Sequence, residues 1–272
     1  MEQGNFWFAF SLTLFAGLST GIGAAIAFFA KQTNKKLLSL SLGFSAGVML
    51  YVALVEILQK SREYLQQELG DTTGNWVMIG SFFTGIAVIA IIDRLIPSSK
   101  NPHEPHKIED MNSAKLNSNK RLMRMGVMSA LAIGIHNFPE GIATFMAGLT
   151  NPSIAIPIAI AIAIHNIPEG IAVSIPVFYA TGNRLKAFWL GFSSGLAEPV
   201  GALIGYGLIT FFFDSISLAF TGVMFGAVAG IMVFISLDEL LPTAEEYGEH
   251  HIAIYGLIGG MAVMAVSLVL FN

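Results

Sequence analysis

The chain has 272 residues, of which 54% are hydrophobic and only 12% charged, with a formal net charge of −4. Soluble domains carry about 25% charged residues, so this composition excludes a water-soluble enzyme or binding module, and its charge balance gives no reason to expect a nucleic-acid partner. The absence of cysteine removes disulfides and thiolate ligands from consideration.

A membrane-spanning helix needs ~20 predominantly apolar residues. Taken in chain order, the apolar windows predict eight helices, over 6–30, 37–58, 74–96, 123–149, 153–178, 185–212, 216–241 and 252–271. The first is preceded by Glu2 rather than by basic residues, is long enough to span, and is followed by Lys31, so it reads as a helix and not as a signal peptide. The third is followed by a segment rich in Pro, Asn, Ser and Lys, 97–122, expected to be a cytoplasmic linker. The long window from Met125 to Asn183 must hold two helices, turning at Asn151-Pro152-Ser153. With the N-terminus outside, 12 of the 14 Lys and Arg residues fall on the cytoplasmic side, and both termini are expected outside.

The second and seventh helices share a pattern. Ala46-Gly47-Val48-Met49 leads to Glu56, and Ala229-Gly230-Ile231-Met232 leads to Glu239, at a constant offset of 183. Fainter matches join Gly17, Thr20 and Gly23 of the first helix to Gly195, Glu198 and Gly201 of the sixth, and Gly85 of the third to Gly260 of the eighth. A shift of five helices reverses direction through a bilayer. The fold class expected is therefore an all-α integral membrane protein with eight transmembrane helices in a 3+2+3 inverted repeat, one domain over 1–272.

The central pair carries the chemistry. The fourth helix reads His136-Asn137-Phe138-Pro139-Glu140-Gly141 and the fifth His165-Asn166-Ile167-Pro168-Glu169-Gly170. Both copies are expected near the bilayer midplane, where His and Glu four residues apart share one helix face. Each proline should kink its helix and release a carbonyl, Ile135 or Ile164, while Gly141 and Gly170 should let the two helices approach. A central charge costs ~2.5–3.5 kcal/mol on insertion scales and an interior proline ~3 kcal/mol, so a bound partner is needed to compensate them. Two imidazoles and two carboxylates suit a borderline divalent cation. Glu198, again followed by a proline, adds a carboxylate from the sixth helix, and with Asn137 and Asn166 it could form a second, oxygen-rich site sharing Glu140 and Glu169. The metal-ligand candidates are thus His136, Asn137, Glu140, His165, Asn166, Glu169 and Glu198.

These motifs, HNFPEG, HNIPEG and the Ala197-Glu198-Pro199 of the sixth helix, resemble the ZIP divalent-metal transporters, and the whole chain is most similar to their bacterial zinc-transporting members. The resemblance implies one metal site from Glu140, His165 and Glu169, with His136 nearby, and an adjoining one from Asn137, Glu140, Asn166, Glu169 and Glu198. It also implies uptake of Zn2+, with Fe2+, Mn2+, Co2+ and Cd2+ as further cargo, and no catalytic cofactor. An elevator-like motion of helices 1, 4, 5 and 6 against 2, 3, 7 and 8, in a homodimer of the cell membrane, completes what it implies.

Two rival readings stand beside it. An intramembrane metalloenzyme would carry HExxH, two histidines on one helix, and each helix here offers one. A proton-coupled carrier of a small cation could use Glu140 and Glu169 as a relay, but their neighbours are Ile, Ala and Gly, too small to grip an organic body. No GxxxxGK[ST] is present, which removes direct ATP drive. Outside the core, His103 and His106 of the linker and His250 and His251 after the seventh helix read as solvated residues before they read as metal ligands. Glu56, Asp238 and Glu239, at the expected ends of their helices, are candidates for gating or relay.

Overall fold

The computed structural model describes residues 3–26, 29, 35–95, 116–150, 152–212, 217–247 and 250–271. Among the described residues the chain is almost wholly helical, without strands. Helix α1 covers Gln3–Ile26. Helix α2, Lys35–Tyr51, runs through a π-helical turn at Val52–Ile57 into α3, Leu58–Leu69. Then follow α4 (Asp71–Leu95), α5 (Leu116–Thr150), α6 (Pro152–Thr181), α7 (Arg184–Gly195) and α8 (Ala197–Phe212). Helix α9, Leu218–Ile235, passes through a second π-helical turn, Ser236–Leu240, into α10, Leu241–Tyr247, and α11 spans His250–Phe271. Among the described residues, seven helical stretches are long and apolar enough to cross a membrane, which makes this a multi-pass membrane protein.

The ends of these helices follow from local chemistry. Gly70 ends α3 at φ 81, a left-handed conformation that costs glycine nothing, and its N–H donates to the Gln66 carbonyl at 2.9 Å. Ser217 starts α9 by accepting from the Phe220 N–H at 3.0 Å. The Glu68 carboxylate accepts from the Ala219 N–H at 2.6 Å, pinning the end of α3 to the start of α9.

Packing divides the helices into two groups. Helices α1, α5, α6, α7 and α8 pack on one another, as do α2–α3, α4, α9–α10 and α11, and the seam is mainly α2 against α6, with α5 against α9. Helix α6 is the innermost span, 78% buried over its apolar window, whereas α4 is 17% buried and presents Trp76, Phe83 and Ile91 outward. Outward aromatic and aliphatic side chains suit a lipid solvent, in which close association depends on small residues at helix crossings.

Those crossings are paired. A Cβ on Gly47 would meet the Leu257 carbonyl of α11, and one on Gly230 would meet the Phe82 carbonyl of α4. Likewise Gly260 lies against the Phe44 carbonyl, and Gly85 against that of Ala227. Residues 47 and 44 of α2 are separated from 230 and 227 of α9 by the same 183 positions that relate the two sequence patterns. The two π-helical turns, Val52–Ile57 and Ser236–Leu240, also end at residues separated by that offset.

Several boundaries differ from expectation. The second predicted helix ends not at 58 but at Leu69, because Leu58–Leu69 is amphipathic: it buries Ser61 and Leu65 while Lys60, Arg62 and Glu63 face outward. Glu56 therefore sits inside a continuous helix, 8% exposed within the π-helical turn, and not at a wet end. Asp238 is likewise within a continuing helical path, since α10 runs on to Tyr247, but it is only half-buried; the Glu239 side chain lies outside the described ones. The sixth predicted helix is interrupted at Leu196. The linker expected over 97–122 ends earlier, since α5 begins at Leu116, and His103 and His106 lie outside the described residues.

Candidate functional site

Asn137 and Glu140 on α5, His165, Asn166 and Glu169 on α6, and Glu198 at the first turn of α8 are all buried, none more than 1% exposed. The His165 Nε2 lies 3.3 Å from Glu140 Oε2 and 4.0 Å from Glu169 Oε1, so one imidazole faces a carboxylate from each of two helices. The helical spacing of four residues supplies the second contact, and the antiparallel crossing of α5 and α6 supplies the first. The Asn166 side-chain amide donates to the Ala16 carbonyl of α1 at 2.9 Å and to the Glu198 carboxylate. The Asn137 amide donates to the Ser194 carbonyl of α7 at 3.3 Å. His136 belongs to α5, but its side chain lies outside the described ones.

Both α5 and α6 continue as helices past Pro139 and Pro168, and a helical break falls at Leu196, just before Glu198-Pro199. At the break, Pro199 cannot donate to the Gly195 carbonyl, and a Cβ on Gly17 of α1 would meet that carbonyl, so α1 fills the space beside it.

Gly141 and Gly170 do not serve the α5–α6 crossing. A Cβ on Gly141 would meet the Glu198 backbone of α8, and one on Gly170 would meet the Thr20 carbonyl of α1. The residue after each central glutamate is thus glycine because a third helix crosses there. In return, Gly201 of α8 faces the Phe138 carbonyl and Gly23 of α1 the Ile167 carbonyl.

Three partners had no signal in the sequence: the Ala16 and Ser194 carbonyls, which any residue type supplies, and Ser45 of α2. The Ser45 hydroxyl donates to the His165 carbonyl at 3.3 Å, a contact made across the seam between the two helical groups. At the rim, His250 Nδ1 lies 2.8 Å from Glu245 Oε1, and both residues are exposed. Among the described residues no three His, Asp or Glu side chains are gathered closely enough to hold an ion as they stand. The central donors are nonetheless nitrogen and oxygen only, with three carboxylates to balance cationic charge, a chemistry suited to borderline divalent metals.

Comparison with known proteins agrees with this chemistry. The family model described as ZIP Zinc transporter matches residues 94–268. The chain is 63% identical over 268 residues to the zinc transporter ZupT of Chlorobium chlorochromatii (strain CaD3), covering 98% of this chain and 99% of that one. It is 58% identical over 282 residues to the zinc transporter ZupT of Clostridium perfringens (strain 13 / Type A), covering 99% and 98%. It is 60% identical over 263 residues to that of Streptococcus mutans serotype c (strain ATCC 700610 / UA159), covering 97% of each.

Proposed function

The chain belongs to the ZIP zinc transporter family, a family of transporters and not of enzymes, and from that premise we propose that it carries zinc across the membrane through the buried cluster on α5, α6 and α8. The observation that carries this reading is the buried His165 imidazole set between the buried carboxylates of Glu140 and Glu169. Each central carboxylate costs ~2.5–3.5 kcal/mol to insert, and a divalent cation offsets that cost while the groups remain ionised. Glu140, His165 and Glu169 form one site, with His136 beside it. Asn137, Asn166 and Glu198 extend it to a second, oxygen-rich site that shares the two central glutamates. Small side-chain rotations bring the groups from their present spacing onto the ion. Fe2+, Mn2+, Co2+ and Cd2+ share the N/O preference of such a set and are further cargo.

Transport follows from the two helical groups. The cluster lies wholly within α1, α5, α6, α7 and α8, and the other group meets it mainly at the α2–α6 seam. Alternating access is then a displacement of the first group against the second, with the site carried along. The matched crossings of Gly47 and Gly230, and of Gly260 and Gly85, support a 3+2+3 inverted repeat in which α5 supplies the eighth span. The Lys and Arg distribution supports both termini outside, in the cell membrane, with uptake toward the cytoplasm. A homodimer is the assembly the outward α4 face would serve.

The test is zinc uptake into proteoliposomes by the wild type, Glu140→Ala and Glu169→Ala. Loss of uptake in both is expected, with each variant extracted from the membrane in normal amount. Uptake by both at the wild-type rate would remove the cluster from the pathway.

A further inference from the structure

The two asparagines of the cluster occupy equivalent positions, and their surroundings can be compared atom by atom. Asn166 donates to the Ala16 carbonyl, and Asn137 donates to the Ser194 carbonyl; Ala16 and Ser194 are 178 residues apart, the offset that relates α1 to α7–α8. Gly170 lies against the Thr20 carbonyl and Gly141 against the Glu198 backbone, and Thr20 and Glu198 are again 178 apart. Gly17 and Gly195 lie against each other's carbonyls. Under this correspondence Thr20 of α1 stands to Glu169 and Asn137 as Glu198 of α8 stands to Glu140 and Asn166.

The correspondence breaks at one pair of side chains. The Asn166 amide donates to Glu198, whereas among the described residues the Asn137 amide has no side-chain acceptor and the Thr20 Oγ1 makes no hydrogen bond; the two asparagine Oδ1 atoms are alike in having none. Both residues are fully buried, at 0% exposure. A Cβ placed on Gly195 would lie 2.7 Å from the Thr20 hydroxyl, so that hydroxyl sits beside the Ser194-Gly195 backbone to which Asn137 is tied. Threonine is two atoms shorter than glutamate and does not span the gap that Glu198 spans. Buried polar atoms without partners are rare in folded proteins, and a buried hydroxyl oxygen left so beside this cluster suits a water molecule or a cation.

We propose that Thr20 is a specificity-determining residue of this transporter: its hydroxyl supplies a neutral oxygen donor to the divalent cation or its water at the position where the internal symmetry would otherwise set a fourth carboxylate. The inference rests on the cluster being the transport site. It explains why a site of duplicated motifs is charged unequally on its two sides: the α8 side has Glu198 and the α1 side has a hydroxyl. A site with three carboxylates and one imidazole favours zinc over harder cations, and a fourth carboxylate would shift preference toward manganese and magnesium.

Four variants test it in proteoliposomes: Thr20→Val, which keeps the shape and removes the hydroxyl; Thr20→Ser, which keeps the hydroxyl; Glu198→Thr; and Thr20→Glu combined with Glu198→Thr. Zinc uptake, its competition by Mn2+ and Mg2+, and equilibrium zinc binding to the purified protein are read for each, beside the amount of monodisperse protein. Thr20→Val is expected to raise the KM for zinc and weaken binding about tenfold, with Thr20→Ser near wild type. The doubly substituted protein is expected to recover at least tenfold over Glu198→Thr alone, because the carboxylate is returned at the equivalent place. Wild-type KM, binding and competition in Thr20→Val, with no recovery in the double variant, would overturn the proposal. Glu140→Gln in the same assay separates the two levels: if it transports normally the site itself is misassigned, and if it fails while Thr20→Val is normal only the role of Thr20 falls.

Discussion

The Asn166 amide donates to the Glu198 carboxylate and, with its second hydrogen, to the Ala16 carbonyl, so one side chain of α6 joins α8 and α1 at the centre of the cluster. Asn137 makes one bond of this kind, to Ser194. The two asparagines of a duplicated motif therefore differ in how much structure depends on them.

Asn166→Ala should destabilise the protein more than Asn137→Ala. The first leaves the buried Glu198 carboxylate without the Asn166 donor, at about 1–3 kcal/mol for an unsatisfied group, while the Ala16 carbonyl keeps the Ser19 hydroxyl; the second leaves the Ser194 carbonyl still accepting from the Leu196 N–H. Thermal unfolding of the two purified variants, without zinc and at saturating zinc, measures the difference. Equal melting temperatures would show that the Glu198 contact carries no stability.

Glu198→Gln keeps the shape of the side chain and removes its charge. It should leave the amount of folded protein unchanged while altering the order in which Mn2+, Fe2+, Co2+ and Cd2+ compete with zinc, and should lower the zinc stoichiometry measured by equilibrium dialysis. An unchanged competition order and stoichiometry would count against an oxygen-rich second site.

Gly141→Ala places a methyl group against the Glu198 backbone. Overpacking of that kind costs about 1–3 kcal/mol, and here it also pushes α8 away from the cluster. Both the melting temperature and zinc uptake should fall. Gly80→Ala is the control: nothing lies within contact distance of its added methyl, and helix propensity alone favours alanine by about 1 kcal/mol. A Gly141→Ala protein as stable and active as Gly80→Ala would mean that the α5–α8 crossing is looser than described.

Ser45→Ala removes the hydrogen bond from α2 to the His165 carbonyl. Side-chain hydrogen bonds within membranes contribute about 0.6 kcal/mol on average, which corresponds to roughly a threefold change in an equilibrium. If the two helical groups move past each other at this seam, the variant should shift the ratio of the two accessible states by about that factor, read as the rate of labelling of single cysteines introduced on either side of the cluster. Identical labelling ratios would show that the bond persists through, or has no part in, the motion.

Much of this molecule was legible beforehand because its signals are local. Apolar windows locate most helices to within a few residues, since in lipid the backbone has no partner but itself. Glu140, His165 and Glu169 stood out because a charge in an apolar helix is costly whatever surrounds it. Where hydropathy alone was used, it misjudged: the charge at Glu56 ended an apolar window, but the helix continues to Leu69, since Ser61 and Leu65 have a buried face to fill against α9. Helical assignment continues through Pro139 and Pro168, and an interruption comes at Leu196, where Gly17 and Gly195 bring α1 and α7 into backbone contact.

By itself the sequence determined that the chain lives in a membrane, that its helices carry a duplicated His-Asn-Pro-Glu-Gly motif, and that this motif holds the candidate ligands for a divalent ion, since transfer cost and residue chemistry are properties of single residues and short spacings. Only the tertiary structure decided which helix each motif glycine meets, that Asn166 has a carboxylate partner where Asn137 does not, and that Thr20 and Ser45 stand at the cluster. Those relations join residues 32 to 175 positions apart through crossings of one helix on another, and no local preference encodes which two helices will cross.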